Sequence, residues 1–174
     1  MKKTSIIALL AALMLMVASV GFAAAETEVV LRRGYGAPHG ERAVGRAVVL
    51  TAGDTIVAAH LDEFQYMAPS DELTPVPNSD KGFGAGAKEG VVLISKKVND
   101  ATYSKNMADK AKATMLLSEG YAAIEAYAQG KTGQEIKDYA ATQEAGKPVD
   151  AITSSTLVDT VGYLNLLADA ALAQ

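Results

Sequence analysis

The sequence contains no cysteine and no tryptophan, and only two of its 174 residues are histidines. The lack of cysteine excludes disulfide scaffolds, thiolate zinc sites, attached c-type haem and iron–sulfur clusters. His39 and His60 are too few to favour a histidine-built metal site. The 20 acidic residues outnumber the 16 basic ones without any basic block, which argues against nucleic-acid binding. This composition leaves a domain that binds a small molecule or a protein.

The first 25 residues have the pattern of a secretory signal peptide. Two lysines form a basic start, residues 6–20 form an almost unbroken apolar run, and three alanines precede the first acid, Glu26. A membrane anchor is the alternative, but the small residues before Glu26 favour cleavage. We therefore predict a signal peptide over residues 1–25 and one secreted domain over 26–174, with no membrane span after cleavage. Without its two N-terminal lysines this domain keeps 14 basic and 20 acidic residues, a net charge of −6.

Strand patterns come first along the secreted domain. Residues 28–33 form one strand candidate, which Gly34-Tyr35-Gly36 should end. Residues 42–50 and 55–64 are apolar stretches separated by a Gly-Asp turn pair, and we predict that they form a β-hairpin.

A long loop is predicted next, over residues 68–87, which contain three prolines and three glycines. Its residues 82–87 fit a relaxed dinucleotide-binding fingerprint, but the strand that such a fingerprint follows is missing. We therefore interpret them as a flexible loop that could form a lid over a ligand. Residues 91–94 fit either a short strand or the start of a helix.

Three helical segments follow, over residues 111–129, 132–142 and 156–172. Apolar residues recur at helical spacing in the first and last segments, and we assign Tyr121 and Tyr127 to the core. The middle segment begins with a Thr-x-x-Glu capping box. Strands followed by helices predict a single α+β domain, in which a small twisted antiparallel sheet packs against helices.

Residues 150–156, Asp-Ala-Ile-Thr-Ser-Ser-Thr, form the most informative segment. They place small hydroxyl residues at the predicted start of the last helix, where free N–H groups and the helix dipole favour phosphate. The other interpretation is an ordinary N-cap formed by Ser154 or Ser155. From the residues alone both interpretations stay open.

Aromatic and histidine residues near loops are the candidates for contacting a planar ligand. We predict Tyr35 and Tyr66 in or next to loops, where a ring can stack on a ligand. His39 lies in a loop rich in glycine and proline, and His60 lies in a predicted strand. Neither histidine has a serine or cysteine partner at a recognisable spacing, so we predict no catalytic residue.

The segment 150–156 resembles the Asp-x-x-(Ser/Thr)-Gly-Ala-Thr motif of the FMN-binding domain family. That family includes membrane subunits of sodium-pumping quinone reductases and exported flavoproteins of Gram-positive bacteria. In these proteins a flavin transferase links FMN through a phosphoester to the final threonine, which Thr156 matches here. Asp150 matches the aspartate of the motif, and Thr153 matches its first hydroxyl residue. The motif's Gly-Ala is replaced by Ser154-Ser155.

Three other segments, 103–107, 130–132 and 157–164, are similar to the exported subgroup that serves extracellular electron transfer. The resemblance thus covers residues 30–172. It implies a secreted electron carrier with FMN as its redox group, rather than a stand-alone enzyme. The implied partners are a flavin transferase and a redox partner in the membrane or outside the cell.

The resemblance also implies the residues around the cofactor. Thr156 would hold the phosphate, with Thr153, Ser154, Ser155 and the helix N-terminus around its oxygens. The flavin ring would lie against the sheet or the Pro/Gly-rich loop, and the residues proposed to contact it are Tyr35, His39 and Tyr66.

Two other functions fit the same residues. One is a secreted binding module that holds free flavin or another planar ligand noncovalently, since Ser154 and Ser155 are bulkier than Gly-Ala where a transferase must approach. The other is a structural or cell-surface domain, in which the hydroxyl residues form only a helix cap.

Overall fold

The computed structural model describes residues 27–84, 87–149, 152 and 157–174. The predicted signal peptide lies outside these residues and stays a prediction. The strands are β1 (Val29–Gly36), β2 (Val44–Ala52), β3 (Thr55–Met67) and β4 (Val92–Ser95). The helices are α1 (Asp100–Ala111), α2 (Leu117–Ala128), α3 (Gly133–Ala141) and α4 (Thr160–Leu172). The strands form one antiparallel sheet in the order β1-β2-β3-β4, which confirms the predicted α+β class.

The helices pack on one face of this sheet. α4 contacts β1 and β2, α2 contacts β3, and α1 and α3 pack against α2 and α4 respectively. Ala47 and Leu61 are fully buried on this face, in one core with Ile124 of α2 and Leu164 of α4. On the opposite face Leu31 is 70% exposed, as is common for an antiparallel sheet that buries only one side. None of the helices in the described part of the chain is long and apolar enough to cross a membrane.

The predicted hairpin is confirmed, because β2 and β3 pair around the turn at Gly53. The prediction that residues 34–36 end the first strand is wrong, since β1 continues to Gly36. A Cβ atom on Gly34 would lie 3.1 Å from the Cβ of Ala170 in α4. The glycine therefore lets the last helix cross close to the strand and does not end it.

The single helix predicted over residues 111–129 is in fact the end of one helix and the whole of another. α1 ends at Ala111, Lys112 adopts the left-handed conformation with φ of 56°, and α2 begins at Leu117. The sequence did not predict α1, because the apolar spacing of this helix is weak and Ser104 is its one buried residue.

The structure confirms the predicted cap of α3 and the predicted core tyrosines, and it decides between the two alternatives for residues 91–94. Thr132 caps α3, accepting a hydrogen bond from the Glu135 backbone N–H at 3.2 Å, while the Glu135 carboxylate accepts one from the Thr132 N–H at 2.7 Å. Of the two alternatives for residues 91–94, the structure has the strand. Tyr121 is fully buried and Tyr127 packs against the core, as predicted.

Asp100 joins the N-termini of α1 and α2. Its Oδ1 accepts hydrogen bonds from the Ser104 hydroxyl at 2.8 Å and the Ser118 backbone N–H at 3.0 Å. Its Oδ2 accepts one from the Ser118 hydroxyl at 2.5 Å. Burial alone would raise the pKa of this carboxyl, but the hydrogen bonds outweigh burial and hold the pKa below its ordinary value of 3.8. The ionised carboxylate therefore stabilises the junction of the two helices.

Asp100→Asn is expected to lower the free energy of unfolding at neutral pH by about 1–3 kcal/mol, because it removes a charged hydrogen-bond acceptor. A carboxyl whose pKa is lowered in the folded state stabilises above its unfolded pKa, and this contribution is lost as the pH falls through the folded pKa. Urea unfolding should therefore show a difference between variant and parent that shrinks below about pH 4.

Asp109→Asn is the matched control, because the Asp109 carboxylate forms only an exposed ion pair with Lys105 of the same helix. Its expected effect is within about 0.5 kcal/mol. An equal loss in both variants, or a difference that persists in acid, would contradict the assigned role of Asp100.

Candidate functional site

A cavity of about 450 Å³ lies between α1, the start of α4 and the end of β4. Such a volume is typical of sites that bind small molecules. Its apolar wall includes Tyr103 and Met107 of α1, Leu117 of α2, Leu157, and Tyr163 of α4. The polar side chains of its wall include Lys96 and His39. A mainly apolar wall with a few polar groups is the usual composition of a ligand pocket.

Lys96 forms a buried ion pair with Glu63 beside this cavity. Glu63 projects from the same face of β3 as the buried Leu61, and Lys96 continues the alternation of Ile94 in β4, so both face the helices. Lys96 is 1% exposed and Glu63 is 0% exposed. The Lys96 ammonium also lies 4.8 Å from the centre of the Tyr103 ring, a cation–π distance.

Two tyrosine hydroxyls extend this buried network. Tyr163 donates a hydrogen bond to the Glu63 Oε2 at 2.9 Å, and Tyr121 donates one to the Tyr163 hydroxyl at 3.3 Å. Burial raises the pKa of both tyrosines above the ordinary value of 10.0, so both hydroxyls stay protonated at neutral pH. The Glu63 Oε1 has no hydrogen-bond partner within the described part of the chain.

A buried ion pair is costly to maintain. Transferring each charge from water into a protein costs several kcal/mol, and the attraction between the charges roughly cancels that cost. An apolar pair in place of Lys96 and Glu63 would therefore stabilise the fold as well or better. Lys96 lies on the cavity wall, with Glu63 buried behind it, which suggests a role of the pair in binding.

His39 and Asp159 form a second polar pair on the cavity wall. The His39 Nδ1 lies 2.6 Å from the Asp159 Oδ2, with both side chains half-buried. Pro38 positions this histidine against α4, because a Cβ atom on Gly162 would lie 2.7 Å from the Pro38 carbonyl oxygen. A glycine at position 162 thus allows the loop to approach the helix closely enough for the pair to form.

Of the residues predicted to contact a ligand ring, His39 lines the cavity. Tyr35 and Tyr66 are each the last residue but one of a strand, β1 and β3 respectively, so both lie next to the loops that follow, as predicted. Tyr35 is 67% exposed and pairs with Arg46 on the sheet face opposite the helices. Tyrosine is a favourable strand residue, which allows both strands to continue beyond their predicted ends.

The residues predicted to hold the phosphate, Asp150, Thr153, Ser154, Ser155 and Thr156, lie outside the described residues, and their roles stay predictions. The predicted start of the last helix at residue 156 is wrong, because α4 begins at Thr160 with Asp159 as its N-cap. The Thr160 hydroxyl donates to the Leu157 carbonyl at 2.5 Å, closing a turn just before the helix. The helix N-terminus therefore lies four residues after Thr156 in the sequence.

Four residues in or beside the cavity were not predicted from the sequence as parts of a site: Lys96, Glu63, Tyr103 and Met107. A signal for the ion pair was present, since Glu63 and Lys96 each occupy a position that strand alternation assigns to the core. Opposite charges at such positions of two adjacent strands predict a buried pair. Within the described ranges, no group of three or more potential metal ligands is found.

Lys96→Met is expected to lower the free energy of unfolding by about 3–5 kcal/mol, because it leaves the Glu63 carboxylate buried without a partner. Adding Glu63→Gln should restore most of this loss, since the double variant buries no charge. Lys97→Met is the matched control, because Lys97 pairs with Glu125 in a half-exposed position. Its effect should stay within about 1 kcal/mol. Urea unfolding of the four proteins measures all three values, and equal losses for Lys96→Met and Lys97→Met would contradict the burial described.

Comparisons with protein-family models, with curated proteins and with solved structures found no match for this chain. The resemblance of its motifs to the FMN-binding domain family therefore remains a prediction, which the geometry of the cavity can support or weaken.

Proposed function

We propose that this protein is a secreted electron carrier that binds FMN in the cavity, with the flavin attached through its phosphate to Thr156. The observation that carries this proposal is that the cavity is built from segments that carry the resemblance to FMN-binding domains. The segments 103–107 and 157–164 supply six residues of its wall: Tyr103, Met107, Leu157, Val158, Asp159 and Tyr163.

The position of the acceptor threonine is consistent with a ring in this cavity. Thr156 is bonded to Leu157, and consecutive Cα atoms lie about 3.8 Å apart. Leu157 is buried and lines the cavity. A flavin tethered to Thr156 through its phosphate and ribityl chain would therefore have the cavity within reach.

The wall of the cavity has the chemistry that a flavin ring requires. Tyr103 and Tyr163 offer aromatic contacts, and Met107 and Leu117 offer apolar ones. Lys96 supplies a buried cation, and the exposed Lys112 supplies a second positive charge that could attract the phosphate. The residues present fit the group that the motif implies.

Bound FMN would supply one-electron and two-electron redox chemistry. The apolar wall would exclude water from the ring, and the His39–Asp159 pair would hold the loop at residues 37–39 against α4. The secreted domain's net charge of −6 would attract a basic region of a redox partner. This division of roles, in which the cofactor supplies the chemistry and the protein positions it, is that of a carrier.

The attachment is tested by co-expression with a flavin transferase, followed by intact-mass measurement and in-gel fluorescence. The parent protein should gain the mass of one flavin moiety and give a fluorescent band after denaturation. Thr156→Val should lose both signals, because it removes the oxygen that forms the phosphoester. Thr142→Val is the matched control, because Thr142 is an exposed residue at the end of α3, and this variant should keep both signals.

The other results distinguish the alternative functions. A yellow protein that loses its colour on unfolding would be the noncovalent binding module, which Ser154-Ser155 in place of Gly-Ala favours. A colourless protein of unmodified mass, which also fails to bind added FMN, would contradict the proposal and favour a structural domain.

The place of the ring is tested by filling the cavity. Met107→Trp should leave the covalent mass gain intact, because Thr156 is unchanged, but it should abolish the visible circular dichroism of the bound ring. Leu116→Trp is the control, because Leu116 is an exposed neighbour of Leu117 and should leave the visible spectrum unchanged. An unchanged spectrum in Met107→Trp would place the ring elsewhere.

A further inference from the structure

Of the Lys96–Glu63 pair, the lysine borders the cavity and the glutamate does not. Lys96 lines the cavity, whereas Glu63 is fully buried behind it between the sheet and the helices. Glu63 is held there by the Tyr163 hydroxyl, which donates to the same Oε2 that the Lys96 ammonium contacts. A molecule in the cavity therefore meets the positive end of the pair first, although the pair as a whole is neutral.

The ammonium group of Lys96 has hydrogen-bonding capacity left for such a molecule. An ammonium carries three N–H donors. Within the described residues the Lys96 side chain donates one hydrogen bond, to Glu63, and its other close contact is the face of the Tyr103 ring. A ligand atom could thus accept a hydrogen bond from an N–H of Lys96 that has no acceptor among the described residues.

Besides Lys96, the charged groups of the described lining are one carboxylate, which contacts a histidine, and one lysine. Asp159 is paired with His39, and Lys112 is exposed and positive. Tyr103 and Tyr163 border the cavity beside Lys96, so an aromatic ring can lie in the same space as the cation. A ligand with an aromatic ring and a negatively charged group could therefore contact the two tyrosines with its ring and Lys96 with its charged group.

We propose that the cavity selects aromatic ligands that carry a negative charge on the part held by Lys96, with Glu63 orienting the ammonium from behind. This inference rests on the proposed function only in taking the cavity as the ligand site. If the ligand is FMN, a ring that has received two electrons from the redox partner and one proton from solvent would carry this negative charge. Lys96 would then favour the reduced over the oxidised form.

The selectivity can be measured without flavin, using two fluorescent molecules that differ by one charged group. They are 8-anilinonaphthalene-1-sulfonate and N-phenyl-1-naphthylamine, which has the same rings without the sulfonate. The parent protein should bind the sulfonate more tightly than the neutral molecule, by about tenfold or more for a charge-assisted hydrogen bond. Affinities come from fluorescence titration of folded protein, with far-ultraviolet circular dichroism confirming that each variant is folded.

The variants assign this preference to Lys96. The double variant Lys96→Met with Glu63→Gln should lose the preference for the sulfonate and keep its affinity for the neutral molecule. Lys97→Met should keep the parent preference, because Lys97 is directed to Glu125. Glu63→Gln alone should increase the preference, because the ammonium no longer shares its charge with a carboxylate. Should either Glu63 variant fold poorly, the comparison of the two molecules in the parent protein and in Lys97→Met still decides the question, because neither protein loses the buried pair.

The inference is overturned if the parent binds neither molecule or binds them equally, or if the preference is the same in all variants. It is also overturned if Lys97→Met loses the preference as fully as the double variant.

A second set of titrations addresses flavin itself and separates the two proposals. In FMN-loaded protein the double variant should lower the ratio of affinities for reduced and oxidised flavin about tenfold, which for a two-electron couple lowers the midpoint potential by about 30 mV. Failure of every variant and the parent to bind FMN would contradict the proposed function, while the two naphthalene molecules would still decide the role of Lys96. If FMN binds with the same midpoint potential in the parent and in all variants, the role of Lys96 is overturned. The proposed function would still stand.

Discussion

A carboxylate from β3 and an ammonium from the end of β4 meet in the layer between the sheet and the helices, and three helices are connected to this pair. The Lys96 backbone N–H donates to the Glu63 carbonyl at 2.8 Å, which continues the sheet pairing to the site of the ion pair. Tyr163 connects the pair to α4, Tyr121 extends the contact to α2, and Tyr103 brings α1 against the ammonium. The cavity exists where these elements meet. Burying two charges is tolerated because each finds an opposite charge and further polar contacts.

The two adjacent lysines have different roles for geometric reasons. Successive side chains at the end of a strand point in different directions, so Lys96 enters the core and Lys97 turns to Glu125 of α2. The same Glu125 oxygen accepts a hydrogen bond from the Leu61 backbone N–H at 2.7 Å. Glu125 thus connects α2 to β3 next to Lys97. One lysine thus contributes to the cavity and the other to the attachment of a helix, although both have the same chemistry in the sequence.

The sequence predicted the elements whose signals are local. Alternation and a Gly-Asp turn predicted the β2–β3 hairpin, and a Thr-x-x-Glu pattern predicted the start of α3. Both predictions were possible because each pattern depends on residues that are close together in the sequence. The helix α1 was missed, since its burial depends on Asp100 and Ser104 bonding to α2 and not on an apolar stripe. The cavity could not be predicted from one segment, because His39, Lys96, Tyr103 and Leu157 come together only when the sheet and helices pack.

The proposed electron-carrier function depends most on whether FMN enters this cavity. Methyl-resolved NMR during titration with FMN measures this directly, because the cavity and the open sheet face carry different methyl groups. The account predicts chemical-shift changes concentrated on Met107, Leu117 and Leu157, which line the cavity. Changes concentrated on Leu31 and Leu50, which pair across the open face near Tyr35, or no changes at any methyl group, would contradict it.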